Sequence, residues 1–446
     1  MSGRLGNEEV VELALAALGR RSGEVFLREA SSSSIEIKDG AIDAVIQRGE
    51  RGLGVRVLEG GRSGSASTSD LSPEGVGRCV ETAFAMAAVS EPDPDASLAT
   101  EAVLPVDLEI HERRIERPVA ERGALALAVE AAARARDGRI SGFRKTSYGD
   151  GESATHLATT AGARGSYRET HYGLSTSVVA TAGAERQIGY HGQSTRRFGD
   201  LDPAPIGQKA ADLAIGKLGP RPFATQLLPV ILDPWMGMAL LGAIGRLFSA
   251  EAVVKGKSLF AGRIGSAIAS DRITIVDDGR LPGGMRTAPF DGEGTPTSKR
   301  VLVENGVLRA YLTDRRSARR LGAVSAGNAR RGGIGGTPRI GVSNFTLAAG
   351  HEEPEIIVRN APRALRITSL LNLHTIDPIS GEFSLGATAD YLEHGTRAHP
   401  VQGITIAGNL TALLAGIVAV GGDLIIGPGG IGSPTLVIGE LSVGGA

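Results

Sequence analysis

The sequence predicts an α+β protein, with an N-terminal α/β domain of twisted sheet and covering helices over residues 1–220 and a β-rich, barrel-like C-terminal domain over 222–446. Three observations predict it. Glycine supplies 63 of 446 residues, about twice its usual share. With 41% hydrophobic residues and a formal charge of −1, disorder does not explain the excess, so the glycines belong to folded turns. Aromatic residues make up only 4%, so Val, Ile, Leu and Ala must build the core, which suits β-branched sheet faces with Ala-rich helices packed closely on them. Finally, short alternating runs are punctuated throughout by Asp-Gly, Gly-Gly and Asn-Gly, the dipeptides of tight hairpins.

The elements follow in order. Residues 7–19 place Val10, Val11, Leu13, Ala14 and Leu18 at helical spacing, with Glu8 and Glu9 where the helix dipole favours acids. Runs at 24–30, 33–38, 41–48, 53–59 and 63–68 read as a meandering antiparallel sheet, turned at Asp39-Gly40 and Gly60-Gly61. Ser72-Pro73 opens a helix to about residue 89 that should cover the sheet. Residues 90–106, rich in proline and acid and without periodicity, are a connector. An Ala-rich helix spans 118–137. Residues 140–200 alternate β-type runs rich in Ser, Thr, His and Tyr, the expected polar face of a one-sided sheet. A helix over 204–218 stops at Leu218-Gly219-Pro220. The second half opens with a buried strand at 226–233 and an apolar helix at 236–248, too short to cross a bilayer. Asn305-Gly306 and His394-Gly395 mark hairpins, and the tail alternates glycines with short apolar strands.

Composition excludes several function classes. Forty-eight basic against 49 acidic residues give no field for nucleic acid. A single cysteine, Cys79, precludes internal disulfides and fits a reducing compartment. Acidic residues interrupt the first apolar stretch, unlike a signal peptide, so a cytoplasmic protein with no membrane partner is expected. No G-x-S-x-G elbow, phosphate loop or dinucleotide fingerprint occurs. His111 begins HERRIER, which is no zinc motif, and His394 and His399 have a spacing that aims them at opposite faces of a strand. GGIGG at 332–336 reads as a mobile surface loop. The carboxylates of DDG (277–279) and DGEG (291–294) could serve as acid or base, although Asp-Gly is also common turn chemistry.

The order of motifs is similar to that of the TldD/TldE (PmbA) family of gyrase modulators and peptidases. The resemblance rests on SSIEIKDGAIDAVIQRGERGLGVRVLEGGRSGSASTSDLS in the first domain. In the second it rests on KGKSLFAGRIG (255–265), FDGEGTPTSKRVLVENG (290–306), GNAR (327–330), SGEFSLGATADYLEHG (380–395), PVQGITIAGNL (400–410) and SPTLVIGELSVGG (433–445). The resemblance implies that TldD-type subunits carry zinc on an HExxxH helix just before the KG-S-FAGRIG segment, with a Cys ligand in the glycine-rich tail. The matching positions here are LGAIGR, 241–246, so Leu241, Gly242 and Arg246 stand where His, Glu and His would be, and the tail GPGGIGSPT holds no cysteine. None of the three supplies a ligand or a base. The chain thus resembles the TldE (PmbA) branch.

That resemblance implies a non-catalytic subunit with no cofactor of its own, paired with a TldD-type zinc subunit or with itself, acting on unfolded or extended peptides. Asp291, Glu293, Gly294, Thr295 and Asn305 lie in the shared C-terminal core, as substrate-binding or structural residues. Two other readings remain open on the sequence: a self-sufficient homodimeric amide hydrolase of natural-product metabolism, using Asp277, Asp278, Asp291 or Glu293, and a peptide-binding modulator without hydrolysis.

Overall fold

A computed structural model describes residues 4–38 and 40–445. The N-terminal half is a curled six-stranded antiparallel sheet, β1 (Gly23–Lys38), β2 (Ala41–Glu59), β3 (Arg62–Thr68), β4 (Ile140–Thr159), β5 (Arg164–Ala182) and β6 (Glu185–Thr195), in the order β3-β2-β1-β4-β5-β6. It consists of two three-stranded meanders joined where β1 meets β4. The pairs of short runs read at 24–38 and 41–59 are each one long strand, because β1 and β2 pair almost without interruption along their length. Of the Asp39-Gly40 turn, Asp39 lies outside the described residues, and Gly40 has φ 78°.

Strand alternation divides the residues between two faces. Val25, Leu27, Leu53, Val55 and Val57 point to α1 (Asn7–Leu18) and α2 (Pro73–Ala88), and Ile35, Ile37 and Tyr148 to α3 (Val119–Arg136). α4 (Pro203–Ile215) completes the layer over β5 and β6. Ser72 caps α2 as expected, accepting the Gly75 N–H at 3.1 Å. Close packing explains part of the glycine content: a Cβ on Gly64 would stand 2.1 Å from the Ala83 carbonyl of α2, and one on Gly189 2.1 Å from that of Ala210 in α4. The other face of the sheet carries Glu24, Phe26, Arg56 and Leu157. Opposite them lies the C-terminal half, so this face is no purely solvated one.

In that half, strands Gln226–Leu232, Arg363–Leu371, Glu382–Glu393, Thr396–Asn409 and Leu436–Gly444 close into a five-stranded barrel, sealed where 405–407 pair with 442–444. A second sheet runs from the Asn305-Gly306 hairpin to the tail strands Ile431–Ser433 and Ile425–Ile426. The apolar helix Pro234–Ile244, capped by Asp233 on the Met236 N–H at 2.9 Å, buries Leu240, Leu241 and Ile244 in the core between them. No helix among the described residues is long and apolar enough to cross a membrane.

Candidate functional site

Two places were singled out by the sequence, and the structure keeps them apart in character. The first is the helix that precedes the KG-S-FAGRIG segment. Leu241 is 4% exposed and sits in the C-terminal core. Gly242 faces the tail: a Cβ there would lie 2.9 Å from Ile431 Cδ1. Arg246, on the turn that ends the helix, donates from Nη2 to the Ile376 carbonyl at 2.7 Å. Helix and glycine-rich tail do meet, with Met238 against Gly427 and Ser433 against Gly237. The groups that meet are a methyl, a thioether and a hydroxyl, with the Arg246 guanidinium turned to the Ile376 carbonyl, and such a set does not fit zinc.

The second place is the DGEG turn, which sits in the seam between the two halves. Asp291 Oδ1 accepts the N–H groups of Glu293 and Thr295 at 2.9 and 3.0 Å, and Oδ2 accepts that of Ala329 at 2.9 Å. Asp291 is therefore committed to holding its own loop. Gly294 has φ 81°, and a Cβ there would lie 2.5 Å from Leu157 Cδ2, so the turn is pressed onto β4. Phe290 completes that contact with Phe26 and Leu157, and with Tyr167 in an edge-on ring contact at 5.2 Å. Asn305 is elsewhere, at positive φ (46°) in its hairpin turn, and Asp277 is tied to Asn328 and Ser343 at 2.7 and 2.6 Å.

Around Glu293 the seam is charged. Glu24, directly opposite Arg56 in the β1–β2 register, receives Arg56 Nη2 at 2.8 Å and also Arg331 from the C-terminal half. Arg56 Nη1 lies 3.9 Å from Glu293 Oε1, while Glu293 Oε2 accepts the Arg315 N–H at 2.9 Å. Burial by itself would raise the Glu24 carboxyl, yet the guanidiniums of Arg56 and Arg331 hold it below its usual range. Burial pushes Asp291 up to about 6 and Glu293 to about 7. The three amide donors pull Asp291 back, while the Asp291 carboxylate adds to the upward push on Glu293. The connector is fastened to the same seam: Arg315 grips both oxygens of Glu101 at 3.1 and 3.0 Å, and Arg320 reaches Asp93 and Asp95. GGIGG is likewise seated rather than free, since a Cβ on Gly54 would stand 2.3 Å from the Ile334 carbonyl.

Sequence reasoning found Asp291, Glu293, Gly294 and Thr295, which the structure brings together, but missed Glu24, Arg56, Arg315 and Arg331. A signal existed. Arg56 interrupts the apolar run of its strand, and the acids of the connector match RRSARR at 315–320 in charge. The middle histidines do not converge: His191 meets the Trp235 ring edge-on at 4.9 Å, whereas His171 lies under Gly151. Among the described residues no group of three or more His, Cys, Asp or Glu could hold a metal ion.

Fold and seam define an α+β protein, a curled N-terminal sheet locked onto a C-terminal barrel through buried charges. Three family models match it in sequence: PmbA/TldA metallopeptidase domain 1 over residues 23–87, the central domain over 113–218 and the C-terminal domain over 225–445. Metalloprotease PmbA of Escherichia coli O157:H7 is 29% identical over 94% of this chain and 91% of its own length. A TldD homolog of Haemophilus influenzae is 27% identical over 95% and 92%. A Thermotoga maritima structure solved under a DNA gyrase modulator name superposes with a TM-score of 0.88 at 28% identity, covering 98% of this chain and all of its own. TldE from Thermococcus kodakarensis, at 22% identity and a TM-score of 0.87 over 98% and 99%, shares the fold. The chain belongs to the PmbA/TldD metallopeptidase family.

Proposed function

We propose that this chain is a non-catalytic, TldE/PmbA-like subunit of a TldD/TldE-type zinc metallopeptidase that processes unfolded or extended peptides. One observation carries the reading: where the resemblance puts the zinc ligands and general base, Leu241 is buried, Gly242 has no side chain and Arg246 is bonded to a backbone carbonyl. Zinc belongs to the partner subunit, and this chain supplies shape. An extended peptide held by backbone hydrogen bonds to a sheet edge needs no catalytic group from the surface that supports it. Against the self-sufficient hydrolase, the oxygens of Asp291 are taken by the N–H groups of Glu293, Thr295 and Ala329, and those of Asp277 by the Ser343 N–H and the Asn328 amide.

The test mixes the chain with a TldD-type subunit and follows cleavage of one unstructured peptide, with each chain alone as control and zinc measured by elemental analysis. Cleavage that requires both chains, with no stoichiometric zinc in this one, is expected. One equivalent of zinc bound by this chain, or turnover by it alone, overturns the reading.

A further inference from the structure

A cleft of about 480 Å³ lies between the connector and the C-terminal half, beside the charged seam. The peptidase reading gives it no role. Glu293 forms part of its wall, 5% exposed. One of its oxygens takes the Arg315 N–H, but among the described residues Oε1 accepts no hydrogen bond, and the Arg56 cation nearest it is 3.9 Å away, beyond hydrogen-bond reach. Arg56 Nε and Ser97 Oγ, on the same wall, also lack partners. Asp314, half-buried, spends Oδ1 on capping Ser317 at 2.7 Å, and among the described residues no donor reaches its other oxygen.

The remaining charges of the cleft are mostly satisfied within it. Arg316 and Arg320 pair with Asp93, and Lys255 pairs with Glu251 at 2.5 Å. Arg339 is different: it is exposed, lines the cleft and has no ion pair among the described residues. Unspent acceptors at Glu293 and Asp314 thus share one concave volume with an unspent cation. Buried polar atoms without partners, here Arg56 Nε and Ser97 Oγ, are rare enough in folded proteins to require an occupant or a role. The volume falls in the range of small-ligand sites. A ligand with one charge would leave one of the two signs unanswered, whereas a ligand with an ammonium at one end and a carboxylate at the other answers both.

We propose that this interdomain cleft binds a short zwitterionic peptide, its ammonium taken by Glu293 and Asp314 and its carboxylate by Arg339. The site is distinct from the helix-and-tail region, and binding requires no second subunit. Proton linkage gives it a signature. Glu293 is faced by Arg56 from β2, Asp291 and Arg315 from the C-terminal half and Asp314 beside the cleft, with Glu24 and Arg331 behind Arg56. An incoming ammonium favours the ionised carboxylate, so affinity rises as the pH passes upward through about 7.

Calorimetric titration of the full chain alone with trialanine, N-acetyl-trialanine and trialanine amide tests this. Saturable binding of trialanine is expected, weakened about tenfold or more by either cap, the scale of one lost charge-assisted hydrogen bond. Arg339→Ala, at an exposed position that leaves folding intact, weakens trialanine but leaves trialanine amide unchanged. Glu293→Gln removes the rise in affinity with pH. Equal binding of all three peptides, no saturation by about 10 mM, or an Arg339→Ala variant that binds trialanine as tightly as the parent overturns the proposal. None of these readings involves cleavage, so they stand or fall apart from the peptidase assignment.

Discussion

Glu24→Gln isolates the energetics of the seam. The substitution keeps the shape of a side chain that is wholly buried, but removes the charge that faces Arg56 and Arg331, themselves only 11% and 8% exposed. Removing one partner of a buried pair typically costs about 3–5 kcal/mol, because the charge left behind has neither counterion nor water. Here two cations are left, so a loss of about 4 kcal/mol is expected, a large fraction of the roughly 5–15 kcal/mol by which domains are stable. Urea denaturation followed by circular dichroism and by Trp235 emission measures it, with coincidence of the two curves as the check on two-state analysis. Adding Arg331→Met should recover part of the loss by removing a surplus cation. The depressed Glu24 carboxyl adds a pH test. Its contribution is present above its unfolded value of 4.5 and is lost as the pH falls through the lower folded value, so parent and variant converge in acid. A cost below about 1 kcal/mol at neutral pH, the scale of an exposed ion pair, refutes a buried, unrelieved seam.

Other expectations follow from the same geometry. Glu293 has the opposite linkage: its folded value of about 7 lies above the unfolded 4.5, so stability falls as the pH rises between them and is level beyond. Glu293→Gln should flatten the upper part of that slope, leaving the share of Asp291 below about pH 6, and gain roughly 1–3 kcal/mol at about pH 8; a parent whose stability is flat from pH 5 to 8 contradicts it. Gly294→Ala should cost about 2–4 kcal/mol, since the added carbon meets both a positive φ and Leu157, and a melting curve identical to the parent's is the adverse result. Burial, with Lys209 nearby, pushes His191 down to about 4, so Trp235 emission should change with a midpoint near pH 4 and lose that titration in His191→Phe. A midpoint near 6.5, the ordinary histidine value, would show that ring exposed.

The elements were legible wherever their cause is local. Ser72-Pro73 and the Asn305-Gly306 hairpin announce themselves through capping and turn chemistry, and each forms where expected. The helix read at 236–248 is shortened to Pro234–Ile244 because its last residues tighten into a 3-10 turn. What the sequence hid is long-range. Breaks between the runs of β1 and β2 fall at Ser31–Ser34 and Gly49–Gly52, which hold turn-forming residues, yet each segment is paired along the neighbouring strand, Ser31–Ser34 with 46–49 and Gly49–Gly52 with 28–31, and tertiary pairing overrides the local preference. The partners of Glu24 lie 32 and 307 residues away, a separation no local pattern encodes. GGIGG looked mobile for the same reason: the two glycines of β2 that admit it are nearly 300 positions earlier.

The distribution of charge supports the proposed division of labour. Where the resemblance places a metal and a base, the chain has apolar packing and one arginine bonded to a carbonyl. Where the family name suggests nothing, between the sheet and the barrel, it buries acids and guanidiniums at a desolvation cost that hydrophobic side chains of similar size would avoid. Charged seams are poor bargains for stability alone, but their register is strict: Arg331 reaches the Glu24–Arg56 pair of the sheet in one arrangement of the two halves, and a slip leaves Arg331 without its carboxylate. A subunit that must present a fixed surface to a catalytic partner, with no metal of its own to order it, gains from such a lock. The same lock leaves Glu293 with one unspent oxygen beside an open cleft. The residues that fix the two halves thereby also provide a place where a small charged ligand can report on, or alter, how they are held.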